Sequence, residues 1–323
     1  MTGPLTVGRL FERMQHRLEL EQVTGVMGFD RPITKGEAHS PGLVLAGYIE
    51  RFSGTRIQVL GETEVSYLHS LDADRRQCIL ERYFGFNFPC VIVCKGQDLP
   101  GGLRELAELR GVALLRSALK PAEFYRRIKP FLEDEFAPNT ALHGSLADVF
   151  GVGLFFTGQS GIGKSECVLD LVERGHRLVA DDLVLCKRRG TDVLIGRGHE
   201  LQRHHMEIRG VGLVDVPGIF GIRAVRQQKR MEVVVHLEPW DQGAVVDRTG
   251  LEGETTEILD VTLPMIRVPL NPGKNITVVA EVIAMNHLLA YSGVNTAEAF
   301  NQRLISRMRQ ATDVNRYLQE DDE

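Results

Sequence analysis

Residues 158–165 read Gly158, Gln159, Ser160, Gly161, Ile162, Gly163, Lys164 and Ser165, the pattern G-x-x-x-x-G-K-[ST]. Glycines in such a loop let successive backbone N–H groups turn inward around phosphate oxygens, and a following helix adds the positive potential of its N-terminus. Lys164 is expected to reach the outer phosphates, and Ser165 to offer its hydroxyl to Mg²⁺. The strand-like run VGLFFTG precedes the loop and SECVLDLVERG follows it with helical spacing, which is the context this motif requires. The loop predicts that a nucleotide binds. What happens to that nucleotide depends on acidic residues further along the chain.

Two apolar runs end in candidate acids. GHRLVADD, Gly175 to Asp182, closes on the adjacent pair Asp181 and Asp182, and VGLVDVPG carries Asp215 in the D-x-x-G form of a GTPase switch. A P-loop protein places an aspartate at the end of a later strand to hold Mg²⁺. A regulatory GTPase also needs N-K-x-D for the guanine base, and the nearest string, Asn271 to Asn275, has no aspartate. The GTPase reading, like that of a small-molecule kinase, is therefore the alternative. Neighbours in a strand face opposite sides, so one carboxylate of the Asp pair is expected to face the phosphates and the other to support it. A carboxylate beside a hydroxyl can accept its proton during phosphoryl transfer.

The elements that must position these groups alternate. In the first part, PGLVLAGYIERF, DADRRQCILERYF, GGLRELAELRG and the proline-opened PAEFYRRIKPFLEDEFAP have helical spacing, while RIQVLG, PCVIVCKG and VALLRS read as strands. This predicts a small α/β domain with a partly parallel sheet over residues 1–132. From 133 to 323, strands are expected at SLADVFG, VGLFFTG, HRLVADD, DVLIGRG, GLVDVP, MEVVVHLE and ITVVAEVI. The chain then ends in a helix with Asn295 as N-cap and Phe300, Leu304 and Met308 as an apolar stripe.

A chain of 323 residues suits two domains. A formal charge of −5 gives no global attraction to nucleic acid or to anionic membrane. The first twenty residues lack a signal-peptide core and no run is long enough to span a membrane, so a cytoplasmic protein is expected. Five widely spaced cysteines make no disulfide framework, and Cys90 and Cys94 alternate as in a buried strand. His199, in HELQRHH, misses the H-E-x-x-H zinc spacing.

The stretch LHGSLADVFGVGLFFTGQSGIGKSECVLDLVERGHRLVADD, followed by MEIRGVGLVDV, VVDRTGL, VPLNPGKN and EVIAMN, resembles the HPr kinase/phosphorylase family. These bacterial enzymes phosphorylate a serine of the phosphocarrier protein HPr. The resemblance implies an α/β chain with a Mur-ligase-like amino-terminal domain and a P-loop domain similar to phosphoenolpyruvate carboxykinase. It also implies ATP as phosphoryl donor, and a reverse reaction in which phosphate attacks phosphoserine and pyrophosphate leaves. By the same likeness Asp182 is the proton acceptor, with Asp181 beside it sharing or tuning the role. His143 and Arg248 are catalytic, Lys164 serves the phosphates, and Ser165 and Glu207 hold Mg²⁺. Pro269 to Lys274 matches a segment linked to dephosphorylation, with Lys274 where relatives commonly carry arginine. A homohexamer is the assembly the family implies.

Overall fold

The computed structural model describes residues 4–200, 203–240, 253–271, 273, 275–293, 302–303 and 305–307. The chain divides into two compact units at Ala137/Pro138.

The first unit runs α1 (Val7–Leu18), β1 (Leu20–Gln22), β2 (Ala38–His39), α2 (Gly42–Leu45), β3 (Ile57–Leu60), α3 (Glu62–Ser70), α4 (Ala73–Tyr83), β4 (Cys90–Val93), α5 (Leu103–Leu109), β5 (Ala113–Ser117) and α6 (Pro121–Glu135). Its sheet has the order β1-β5-β4-β3-β2, with β2 to β5 parallel and β1 antiparallel to β5. Every residue of β3 and β4 is buried, because helices cover both faces, and the two strands read as apolar runs interrupted only by Gln58 of β3. One core gathers α1 and α6 on one side of the sheet, and another gathers α2 to α5 on the other. Cys90 and Cys94 lie within this core, where burial pushes each thiol up to about 12. The helix expected over PGLVLAGYIERF is only the single turn of α2. The helices α1 and α3 are additions to the expected pattern; α1 is opened by Thr6, whose hydroxyl accepts the Arg9 N–H.

The second unit runs β6 (Asn139–His143), β7 (Ser145–Val149), β8 (Val152–Gly158), α7 (Lys164–Glu173), β9 (Arg177–Ala180), β10 (Leu183–Arg189), β11 (Val193–Gly198), β12 (His205–Ile208), β13 (Gly212–Asp215), α8 (Val216–Phe220), β14 (Gln228–Met231), β15 (Val233–Pro239), β16 (Glu254–Ile258), β17 (Val261–Leu270) and α9 (Ile276–Tyr291). Six strands form a mixed sheet in the order β16-β17-β15-β8-β7-β9, in which β17, β15 and β8 are parallel. Four more form an antiparallel sheet, β14-β11-β10-β6, and β12 pairs with β13 as a separate hairpin. One apolar cluster fills the space between the two sheets, with Leu146, Phe155, Val184, Leu194 and Met231 among its members. A second joins the six-stranded sheet to α7 and α9.

The two sheets share chain at a seam beside the phosphate loop, and again where Glu232 alone joins β14 to β15. β6 belongs to the four-stranded sheet and β7 to the six-stranded one, with Gly144 alone between them. β9 and β10 cross in the opposite sense through Asp181 and Asp182. The Gly144 N–H donates to the Asp182 carbonyl at 3.0 Å, tying the two crossings together. Gly144 has to be glycine, since a Cβ there would stand 2.4 Å from the Phe156 carbonyl oxygen.

One expectation is overturned. ITVVAEVI is the first half of α9 and not a strand. Its short β-branched run cannot be told from a strand by periodicity. The Asn275 side chain decides the matter locally by accepting the Val278 N–H at 3.1 Å as an N-cap. A buried ion cluster fixes the middle of the helix: Glu281 receives both Arg174 nitrogens, at 2.8 and 2.7 Å, and the ring nitrogen of His176 lies 3.0 Å away. Asn295, Phe300, Leu304 and Met308 of the expected terminal helix lie outside the described residues.

Candidate active site

The phosphate loop leaves the end of β8 and enters α7. Gly158, Gly161 and Gly163 adopt φ of 138°, 80° and 105°, which lets the backbone fold inward. Gln159, Ser160 and Gly161 are exposed at the rim, while Ile162 packs on the core and anchors the loop. The Lys164 ammonium donates to the Gly158 and Gln159 carbonyls at 3.1 and 3.0 Å, so it is strung across the loop's opening.

Asp181 and Asp182 are not strand residues. β9 stops at Ala180, and the Leu183 N–H donates back to the Asp181 carbonyl at 2.7 Å, closing a tight turn. Asp182 takes φ of 60°, a left-handed conformation that aspartate tolerates better than most side chains. The carboxylates do part company as expected, but the turn separates them, not the pleat of a strand.

Asp181 is buried. One of its oxygens accepts the Ser145 hydroxyl at 2.5 Å and the Ser165 hydroxyl at 3.0 Å. Burial raises its pKa, and these two hydrogen bonds partly oppose the rise. Asp182 is exposed. His143, also exposed, pairs across the strands with Leu183 and so stands beside Asp182 in the register. Of the two acidic candidates, then, Asp181 engages the loop's serine, whereas Asp215 ends β13 and precedes α8.

Glu207 lies on the exposed side of β12, a strand that packs against α7. Among the described residues no three His, Cys, Asp or Glu side chains converge as a metal cage. A hydroxyl and a carboxylate 3.0 Å apart at the helix N-terminus are hard oxygen donors, and they fit a Mg²⁺ ion that keeps its waters and takes its remaining ligands from phosphate. Gly273, of the segment Pro269–Lys274, borders with Asn275 and Thr277 a cavity of about 380 Å³ beside Gly163, Glu166 and Asp170. Arg248 and Lys274 lie outside the described residues. Two residues here escape a reading of the sequence. Ser145 had no spacing to mark it, and Arg209, whose guanidinium rests against Gly161, is a lone cation far along the chain from the loop.

A strand, a phosphate loop, its helix and a buried acid bonded to the loop's serine define a P-loop nucleotide-binding domain, in a chain that also holds a second α/β unit. Residues 134–304 match the family model described as HPr Serine kinase C-terminal domain, and residues 5–132 match that described as HPr Serine kinase N terminus. The HPr kinase/phosphorylase of Chloroherpeton thalassium is 44% identical over 313 residues, 96% of this chain and 92% of that one. That of Geobacter sulfurreducens is 42% identical over 304 residues, 94% and 95% of the two chains. A solved structure of the Hpr(Ser) kinase/phosphatase from Coxiella burnetii is 30% identical with a TM-score of 0.44, covering 47% of this chain and 99% of that one. The chain belongs to the HPr kinase/phosphorylase family.

Proposed function

We propose that this protein transfers the terminal phosphoryl group of ATP to a seryl hydroxyl of the phosphocarrier HPr, and that it also runs the phosphate-dependent reversal. The observation that carries the proposal is the chain Ser145–Asp181–Ser165, which fastens an acidic turn to the phosphate loop and leaves Asp182 and His143 facing solvent together. An incoming serine reaches such a site from outside.

In the forward direction the seryl oxygen forms a bond to the terminal phosphorus, and the bond from that phosphorus to the bridging oxygen breaks, so ADP leaves with the electron pair. The seryl proton passes to Asp182. In the reverse direction a phosphate oxygen attacks the phosphoserine phosphorus, Asp182 returns a proton to the departing seryl oxygen, and pyrophosphate forms. His143, beside Asp182 in the register, orients it. Lys164 and the loop amides hold the phosphates. Ser165 and Glu207 would hold Mg²⁺ with Asp181 in support, and the ion would supply neutralisation of the charge on the phosphates. Arg248 completes the charge stabilisation, and Pro269–Lys274 serves the reversal. We assign this work to residues 133–323 of a cytoplasmic homohexamer. Among the described residues no helix is long and apolar enough to cross a membrane.

Incubation with ATP, Mg²⁺ and HPr followed by mass mapping should find one phosphoserine, and added phosphate should remove it with release of pyrophosphate. An unmodified HPr under conditions where ATP is bound would overturn the proposal.

A further inference from the structure

Arg209 follows β12 directly, two residues after Glu207 and on the same exposed side of the hairpin. Its guanidinium covers Gly161. A Cβ built on that glycine would lie 2.1 Å from Nη2, 2.5 Å from Nη1 and 2.6 Å from Cζ. The glycine is thus required twice, for its φ of 80° and for this approach. Arg209 makes no hydrogen bond or ion pair within the described residues.

The surroundings make that position unfavourable for a cation without a ligand. The loop's inward amides, the N-terminus of α7 and the Lys164 ammonium all concentrate positive potential at the same opening. A fourth positive group held beside them is repelled unless a polyanion arrives, and the chain's overall charge of −5 shows that this concentration is local. A guanidinium presents two parallel N–H groups at the spacing of two phosphate oxygens.

We propose that Arg209 is a phosphate-binding residue of the loop, its guanidinium taking oxygens of the outer phosphates of ATP and, in the reversal, those of pyrophosphate. The role rests on the nucleotide site proposed above and adds to it a cation supplied by the β12–β13 hairpin.

The test is calorimetric titration of ATP and of pyrophosphate into wild type, Arg209→Gln and Arg209→Lys, with the urea midpoint of each ligand-free protein. The expected result is a 10- to 100-fold weaker Kd for both ligands in Arg209→Gln, an intermediate value in Arg209→Lys, and a ligand-free midpoint unchanged or raised as crowded charge is relieved. Both variants binding both ligands within twofold of wild type would overturn the role, as would weakened binding accompanied by a lowered ligand-free midpoint in both, the mark of a mere packing residue. Failure of wild type to bind ATP would instead remove the nucleotide site itself.

Discussion

At the scale of single residues, the two neighbouring aspartates differ in almost every physical respect. Asp181 is buried and bonded to two serine hydroxyls, and Asp182 is exposed on a left-handed backbone. Their substitutions should therefore separate. Asp182→Asn keeps the turn, since asparagine tolerates the same conformation, and is expected to lower phosphoserine formation at least 100-fold while the calorimetric Kd for ATP stays within about twofold. Asp181→Asn is expected to raise the Mg²⁺ concentration for half-maximal activity about 10-fold, read from a metal titration at saturating ATP. Lys164→Ala should weaken ATP about 10-fold or more and slow both directions, measured by phosphosite mass and by a coupled pyrophosphate assay. The loop residues and the acidic pair were legible because each lies in a motif with its own mechanism. Ser145 and Arg209 lie inside the family stretches but were given no role, because their nearness to Asp181 and Gly161 is created by folding and their types carry no signal alone.

At the scale of elements, most of the α/β alternation could be read from periodicity, and α9 shows where that method fails. Thr277, Val278, Val279, Val282 and Ile283 favour a strand by type, yet a cap and a buried ion cluster hold the segment helical. Asn275→Ala should cost about 1 kcal/mol, seen as a fall of about 2–4 °C in the melting temperature of this unit. Arg174, and after it His176, holds the Glu281 carboxyl below its usual range. A depressed folded-state value means that the cluster stabilises the protein above the ordinary glutamate pKa and loses that contribution as pH falls through the depressed one. Because Arg174 is half exposed, Glu281→Gln should cost only about 1–2 kcal/mol at neutral pH. The gap in urea midpoint between it and wild type should narrow once pH drops below 4.5.

At the scale of the molecule, two-unit organisation could be read from length and from the change of pattern between residues 132 and 140, whereas the division of the second unit into two packed sheets could not, because pairing partners lie far apart in sequence. Gly196 sits on β11 where a Cβ would meet the Leu146 methyl of the facing sheet at 2.4 Å. Gly196→Val should wedge the layers apart at about 1–3 kcal/mol, and it is expected to lose phosphoryl transfer more than ATP affinity in parallel assays. His143 is the last residue of one sheet and Ser145 the first of the other, with the acidic turn crossing back at the same level. The prospective proton acceptor is thereby mounted on the hinge line between two plates, one of which carries the nucleotide cradle. Any displacement of one plate against the other would therefore change the distance between Asp182 and the phosphate loop, even with every side chain of the site left as it is.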